Sequence, residues 1–144
     1  NNIKLKFIGD TSIFKESLQL KIKEIEKETL RNKRLVLNVA LNYGGRLDIV
    51  NSVNKFYNNK KKINKITEKN INSGLFTKGQ SDVDLLIRTG GQQRMSNFLL
   101  WQSAYAELFF SKKLWPDFDE KVFVDALYFF QNTERKFGSI SKNT

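Results

Sequence analysis

Residues 87–97 read Ile-Arg-Thr-Gly-Gly-Gln-Gln-Arg-Met-Ser-Asn and carry the strongest chemical signal in the chain. Arg88 closes a short apolar run and supplies one guanidinium. Gly90 and Gly91 let the backbone turn sharply and bring N–H groups close to a ligand. Arg94 supplies a second guanidinium. Ser96 adds a hydroxyl at an expected helix start, where the helix dipole and free N–H groups favour an anion. Each residue alone has an ordinary reading: an Arg paired with a carboxylate, a glycine turn, a Ser N-cap. The set in this order predicts a phosphate or diphosphate cradle, and spacing alone does not say which phosphate ester it takes.

Glu107 is the second signal. It follows Ala104-Tyr105-Ala106 and precedes Leu108-Phe109-Phe110. A carboxylate in such apolar company must be exposed at an edge, paired or metal-bound. Beside a diphosphate cradle a magnesium role becomes reasonable, because Mg2+ is held by one or two carboxylates together with substrate phosphate and water. Asp82 and Asp84 are poorer candidates, since they open their strand away from the cradle. Asp117 and Asp119 read as turn and cap residues.

The chain contains neither His nor Cys, which excludes imidazole and thiolate chemistry and leaves little with which to bind zinc. The formal net charge of +10 raises the question of nucleic acid. The excess is mostly Lys, which with Asn is abundant throughout, and Lys60-Lys61-Lys62 reads as a solvated loop. Arg46, Arg88, Arg94 and Arg135 all lie beside glycine-containing motifs, which suits planar, bidentate grip on an oxyanion. No nucleic-acid partner is therefore expected. No apolar run approaches the roughly 18 residues that cross a bilayer, and a cytoplasmic protein is expected. The basic surface also suits peripheral contact with an anionic membrane face.

These residues must be positioned by a framework. Residues 3–8 alternate apolar and basic, as a half-buried strand does. Gly9-Asp10-Thr11-Ser12 is a turn with N-cap residues, and the helix after it carries Phe14, Leu18, Ile22 and Ile25. Residues 34–41 form a second strand, followed by the glycine loop Asn42-Tyr43-Gly44-Gly45-Arg46. Ile49, Val50, Val53 and Phe56 mark a second helix. Residues 58–65 form a polar linker, and Thr67 caps a short helix ending near Gly74. Strands are expected at 84–88 and 107–110. Between them Ser96 caps a helix bearing Phe98, Leu99 and Trp101. Trp115-Pro116-Asp117-Phe118 is a turn, and Asp119 caps a last helix that stops near Gly138. Alternating strands and helices predict an α/β fold with a mainly parallel sheet flanked by helices. Ligands in such sheets bind beyond the carboxyl ends of the strands, where both glycine loops fall.

In order and spacing, several segments resemble the cis-prenyltransferases. They are Asp84-Leu85-Leu86-Ile87-Arg88-Thr89-Gly90-Gly91, Arg94-Met95-Ser96-Asn97-Phe98-Leu99-Leu100-Trp101-Gln102, Tyr105-Ala106-Glu107-Leu108 and Trp115-Pro116-Asp117-Phe118. Leu37–Arg46 and Ile8-Gly9-Asp10 fit the same family. The resemblance implies a homodimer with a parallel sheet and an apolar tunnel, which condenses isopentenyl diphosphate onto an allylic prenyl diphosphate with cis stereochemistry. It implies that Arg88, Arg94 and Ser96, with the Met95 backbone beside them, grip isopentenyl diphosphate. It further implies that Glu107 helps hold Mg2+, that residues 35–41 line the tunnel, and that Lys136-Phe137-Gly138 approaches the partner subunit's site.

The chain also departs from the family pattern. Gln92 stands where Glu is usual, Gln93 where some members have His, and Lys136 where the C-terminal signature has Arg. The opening Asp-Gly-Asn-Gly-Arg motif, with the catalytic Asp, occurs nowhere in residues 1–144, nor does the Asn-Trp-x-Arg segment. Residue 1 is Asn, and the chain opens directly into a strand pattern. Residues 1–144 are accordingly expected to be the C-terminal part of one domain, with no catalytic residue of their own and negligible turnover. The alternative is a partner subunit or truncated remnant that binds diphosphate without turnover.

Overall fold

The computed structural model describes residues 2–58 and 65–135. In chain order the elements are β1 (Ile3–Ile8), α1 (Glu16–Thr29), β2 (Leu35–Ala40), α2 (Gly45–Asn58), α3 (Glu68–Gly74), β3 (Leu85–Arg88), β4 (Glu107–Phe110) and α4 (Glu120–Gln131), with single 3-10 turns at Thr11–Ile13 and Trp115–Asp117. The chain forms two compact units, Asn1–Gln80 and Ser81–Thr144. Each contains one parallel strand pair, β1 with β2 and β3 with β4. The class is α/β with parallel pairing, as the alternation of elements predicts.

In the first unit β1 pairs with β2 from Ile3↔Leu35 to Ile8↔Ala40. The outer edge of β1 is closed by side chains. Thr29 Oγ1 accepts from Leu5 N at 3.1 Å, Glu26 Oε1 accepts from Phe7 N at 2.8 Å, and Asn32 Nδ2 donates to Ile3 O at 2.7 Å. On β2, Leu35, Val36 and Leu37 are all exposed. Consecutive strand residues point to opposite faces, so apolar surface is bare on both. The tunnel-lining role expected of residues 35–41 concerns this strand.

The core of the first unit comprises Ile8, Ile22, Ile71 and Leu75, together with two buried polar residues of α2, Asp48 and Ser52. Asp48 is 1% exposed; Oδ1 accepts from Phe76 N at 2.9 Å and Oδ2 from Tyr43 Oη at 2.9 Å. A carboxyl group so deep is tolerated only with such hydrogen-bond partners. Ser52 Oγ donates to Ile71 O at 2.6 Å, and Lys55 Nζ donates to Gly74 O at 2.7 Å. Gly74 lies so close to α2 that an added Cβ would stand 2.2 Å from Ser52 Oγ. The capping expected of Thr67 is present as a reciprocal capping box with Asn70.

Three sequence expectations are corrected. The helix-capping role assigned to the Asp10–Ser12 turn is limited to the 3-10 turn, where Asp10 accepts from Ser12 N at 3.0 Å; α1 starts after Lys15, which has no side-chain cap. The helix expected after Ser96 does not form. Ser96, Asn97 and Leu99 have φ of 49°, 63° and 46°, and residues 97–105 run as successive turns. Left-handed residues cannot continue a right-handed helix. The last helix ends at Gln131, with Asn132 as its C-cap. Its expected stop at Gly138, like Lys136-Phe137-Gly138 and most of the 58–65 linker, lies outside the described residues.

Candidate diphosphate and metal site

The second unit positions the cradle residues. Leu86 is buried and anchors β3, so Arg88 is delivered at the strand's carboxyl end. The register runs from Leu85↔Glu107 to Arg88↔Phe110. Beyond Arg88 the pairing continues through the glycine turn. Gly90 N donates to Lys113 O at 2.7 Å and Gly91 N to Ser111 O at 2.9 Å. Their φ values of 87° and 75° favour residues without Cβ. These N–H groups are therefore used inside the protein, which corrects the expectation that they face a ligand. The glycines steer the chain instead.

The side chains at this strand end supply further donors for an anion. Arg88 Nη1 donates to Arg94 O and, at 2.8 Å, to Ser96 Oγ. One guanidinium thus folds the 94–96 segment back over the end of β3. Arg88 carries five N–H donors, and those on Nε and Nη2 make no hydrogen bond among the described residues. Ser96 Oγ, while accepting from Arg88, keeps its own O–H to donate. Arg94 is exposed, with its backbone carbonyl held by Arg88. A cavity of about 230 Å3 opens here, lined by Leu86, Ile87, Arg88, Met95, Ser96 and Phe98. Its polar groups are cationic or hydroxylic and its remaining wall is apolar. Such a site can hold an anion with a short hydrocarbon tail. The structure brings Arg88, Met95 and Ser96 together around the cavity, whereas Arg94 is tied to them by its backbone carbonyl and its exposed side chain is not part of the lining; no helix N-terminus is present there.

Glu107 is placed differently. It opens β4 opposite Leu85, while Arg88 closes β3. Three strand residues, about 10 Å, separate the two levels. Glu107 is therefore at the amino end with Asp84, whose carbonyl accepts from Glu107 N at 2.9 Å. The ground on which Asp84 was set aside applies equally to Glu107. Arg135 joins them: its Nη1 lies 2.6 Å from Asp84 Oδ1 and its Nε 4.0 Å from Glu107 Oε1. Asp84 and Arg135 were missed as neighbours of Glu107. The signal that finds Asp84 is strand direction, since parallel strands put residues that open them at one end; nothing in the sequence pattern points to Arg135.

Among the described residues no group of three carboxylates assembles. Mg2+ does not need one, because one or two carboxylates suffice when phosphate and water complete the shell. Glu107 is partly exposed and beyond hydrogen-bonding distance of Arg135 Nε, so its oxygens can take a divalent cation whose shell water completes, at a level about 10 Å from the Arg88 end of the cradle.

Comparison with known proteins places this geometry. The family model described as "Putative undecaprenyl diphosphate synthase" matches residues 1–138. The ditrans,polycis-undecaprenyl-diphosphate synthase ((2E,6E)-farnesyl-diphosphate specific) of Buchnera aphidicola subsp. Schizaphis graminum is 49% identical over 144 residues, covering 97% of this chain and 58% of its own length. The enzyme of the same name from Haemophilus ducreyi is 50% identical over 142 residues, covering 96% and 59%. A probable undecaprenyl diphosphate synthase from Campylobacter jejuni superposes with a TM-score of 0.86 at 36% identity, covering 96% of this chain and 64% of that one. Lavandulyl diphosphate synthase from Lavandula x intermedia, solved with dimethylallyl diphosphate, gives 0.89 at 37% identity, covering 95% and 61%. The chain thus spans under three fifths of the Buchnera and Haemophilus relatives. With nearly all of its length matched, the chain belongs to the undecaprenyl diphosphate synthase family of cis-prenyltransferases.

Proposed function

We propose that residues 1–144 supply the isopentenyl diphosphate grip of a cis-prenyltransferase, as the C-terminal part of a single catalytic domain. The observation that carries this reading is the Arg88 clamp on the 94–96 segment beside a cavity with an apolar wall. Arg88 and Arg94 bind the diphosphate, Ser96 donates to it, and the Met95 backbone lies alongside. Leu86, Ile87 and Phe98 keep water from the five-carbon tail, so that its alkene is held in one orientation toward an allylic diphosphate. Glu107 contributes to Mg2+, which when bound supplies positive charge to neutralise diphosphate. The whole enzyme makes a long polyprenyl diphosphate with cis stereochemistry as a cytoplasmic homodimer in peripheral contact with the membrane. No helix among the described residues is long and apolar enough to cross a bilayer.

Residues 1–144 lack the Asp-Gly-Asn-Gly-Arg motif, which favours binding without turnover by this chain alone. Calorimetric titration with isopentenyl diphosphate, beside isopentenol and inorganic diphosphate, tests the grip. Isopentenyl diphosphate should bind most tightly, and Arg88→Ala should remove that preference. Equal binding of the alcohol and the diphosphate ester would sink the reading. Condensation activity of the 144-residue chain, assayed with isopentenyl and farnesyl diphosphates, should be negligible.

A further inference from the structure

The amino ends of β3 and β4 carry two carboxylates on a fixed frame and one cation that can choose between them. Asp84 precedes β3 and Glu107 opens β4, and the bond from Glu107 N to Asp84 O fixes their backbones relative to each other. Arg135 reaches them from the segment after α4. Its choice is unequal: 2.6 Å to Asp84 Oδ1 and 4.0 Å to Glu107 Oε1. Two further contacts hold the guanidinium where it is. Nη2 donates to Tyr105 O at 3.5 Å, and the Phe130 ring lies 5.4 Å from Cζ. The Arg135 side chain is 21% exposed and Glu107 24%, whereas Asp84 is 63% exposed. The more exposed carboxylate has taken the cation.

We propose that Asp84 and Arg135 are positioning residues for Glu107, with Asp84 holding the guanidinium away so that the Glu107 carboxylate stays open to a divalent cation. This rests on the reading of Glu107 as a metal ligand. An Arg left to itself beside a carboxylate forms a two-pronged, charge-assisted pair. Such a pair on Glu107 would occupy the oxygens that a metal needs. At 4.0 Å the guanidinium does not donate to Glu107. Removing the Asp84 charge takes away the shortest of the contacts that restrain Arg135 and leaves Glu107, 4.0 Å from Nε, as a carboxylate within its reach.

The test is Mn2+ binding to the 144-residue chain, followed by water-proton relaxation with and without isopentenyl diphosphate. Glu107→Gln should abolish the protein-dependent signal. Asp84→Asn should weaken Mn2+ by up to about fivefold, the upper range for a partly exposed ion pair. Asp84→Glu should keep the wild-type affinity. The double variant Asp84→Asn with Arg135→Gln should also return to it, because no cation then competes. A merely structural role for the pair predicts no such recovery, since the double variant removes both partners. Melting temperatures of the same variants identify any loss caused by unfolding. Loss in Glu107→Gln with wild-type affinity in Asp84→Asn overturns the proposal alone. Equal Mn2+ affinity in wild type and Glu107→Gln overturns the metal assignment and the proposal together.

Discussion

The packing of α2 on α3 and the loop between β3 and β4 use similar polar chemistry to opposite ends. In the first region Asp48 and Ser52 are fully buried, and their acceptors and donors are spent on Phe76, Tyr43 and Ile71. In the second, Arg88 spends one nitrogen on its own loop and keeps others, while Arg94 is exposed. Burial separates polar groups that hold the framework from polar groups that can meet a ligand. A buried polar group without its partner costs stability; an exposed one without its partner costs little. The contrast teaches that the glycine turn, the most ligand-like sequence feature, works partly as framework, since both of its N–H groups are internally bonded.

Variants can break or sharpen this contrast. The largest stability effect should come from Asp48→Ala, which strands the Phe76 N–H and the Tyr43 hydroxyl and is expected to cost about 3 kcal/mol; urea unfolding measures it. Gly74→Ala should cost about 1–3 kcal/mol by overpacking. Adding Ser52→Ala should not restore stability, because the Ser52 Cα and Cβ also stand 2.9 Å from the new methyl position. Arg88→Ala should do the reverse of both: a stability change within about 1 kcal/mol, but about tenfold weaker isopentenyl diphosphate binding, from lost charge-assisted bonds. A large fall in melting temperature for Arg88→Ala would place it with the framework instead.

The smallest effect concerns Asp119. A hydrogen bond from Lys113, then one from Val122 N, holds its carboxyl below the usual 3.8. A depressed folded value means that the stabilisation is complete above the unfolded value and is lost as pH falls through the folded one. Amide protection factors at the start of α4, which are exchange rates relative to the intrinsic rate at each pH, should therefore be unchanged from pH 7 to 5 and fall only below about 4.

Much of this framework is legible without coordinates. The strands at 3–8, 85–88 and 107–110 follow from apolar alternation or short apolar runs, and the Thr67 and Asp119 caps from side-chain chemistry. The cradle residues are legible as a set because they crowd one strand end. The turns after Ser96 are not, since Phe98, Leu99 and Trp101 have helix-like spacing and no glycine marks the positive φ values. The start of α1 at an uncapped Lys15 is equally silent. Glu107 is an intermediate case. Its strand is readable, but its distance from Arg88 follows only once strand direction is applied.

The closed outer edge of β1 has a consequence for assembly. Unpaired strand edges template association with other chains, and proteins that leave them bare risk aggregation. Thr29, Glu26 and Asn32 occupy the positions that an incoming strand would need on that side. Growth of this sheet is therefore one-directional, with β1 as its terminus. Any polypeptide that extends it by backbone pairing must enter beside β2, where the bare apolar side chains also lie.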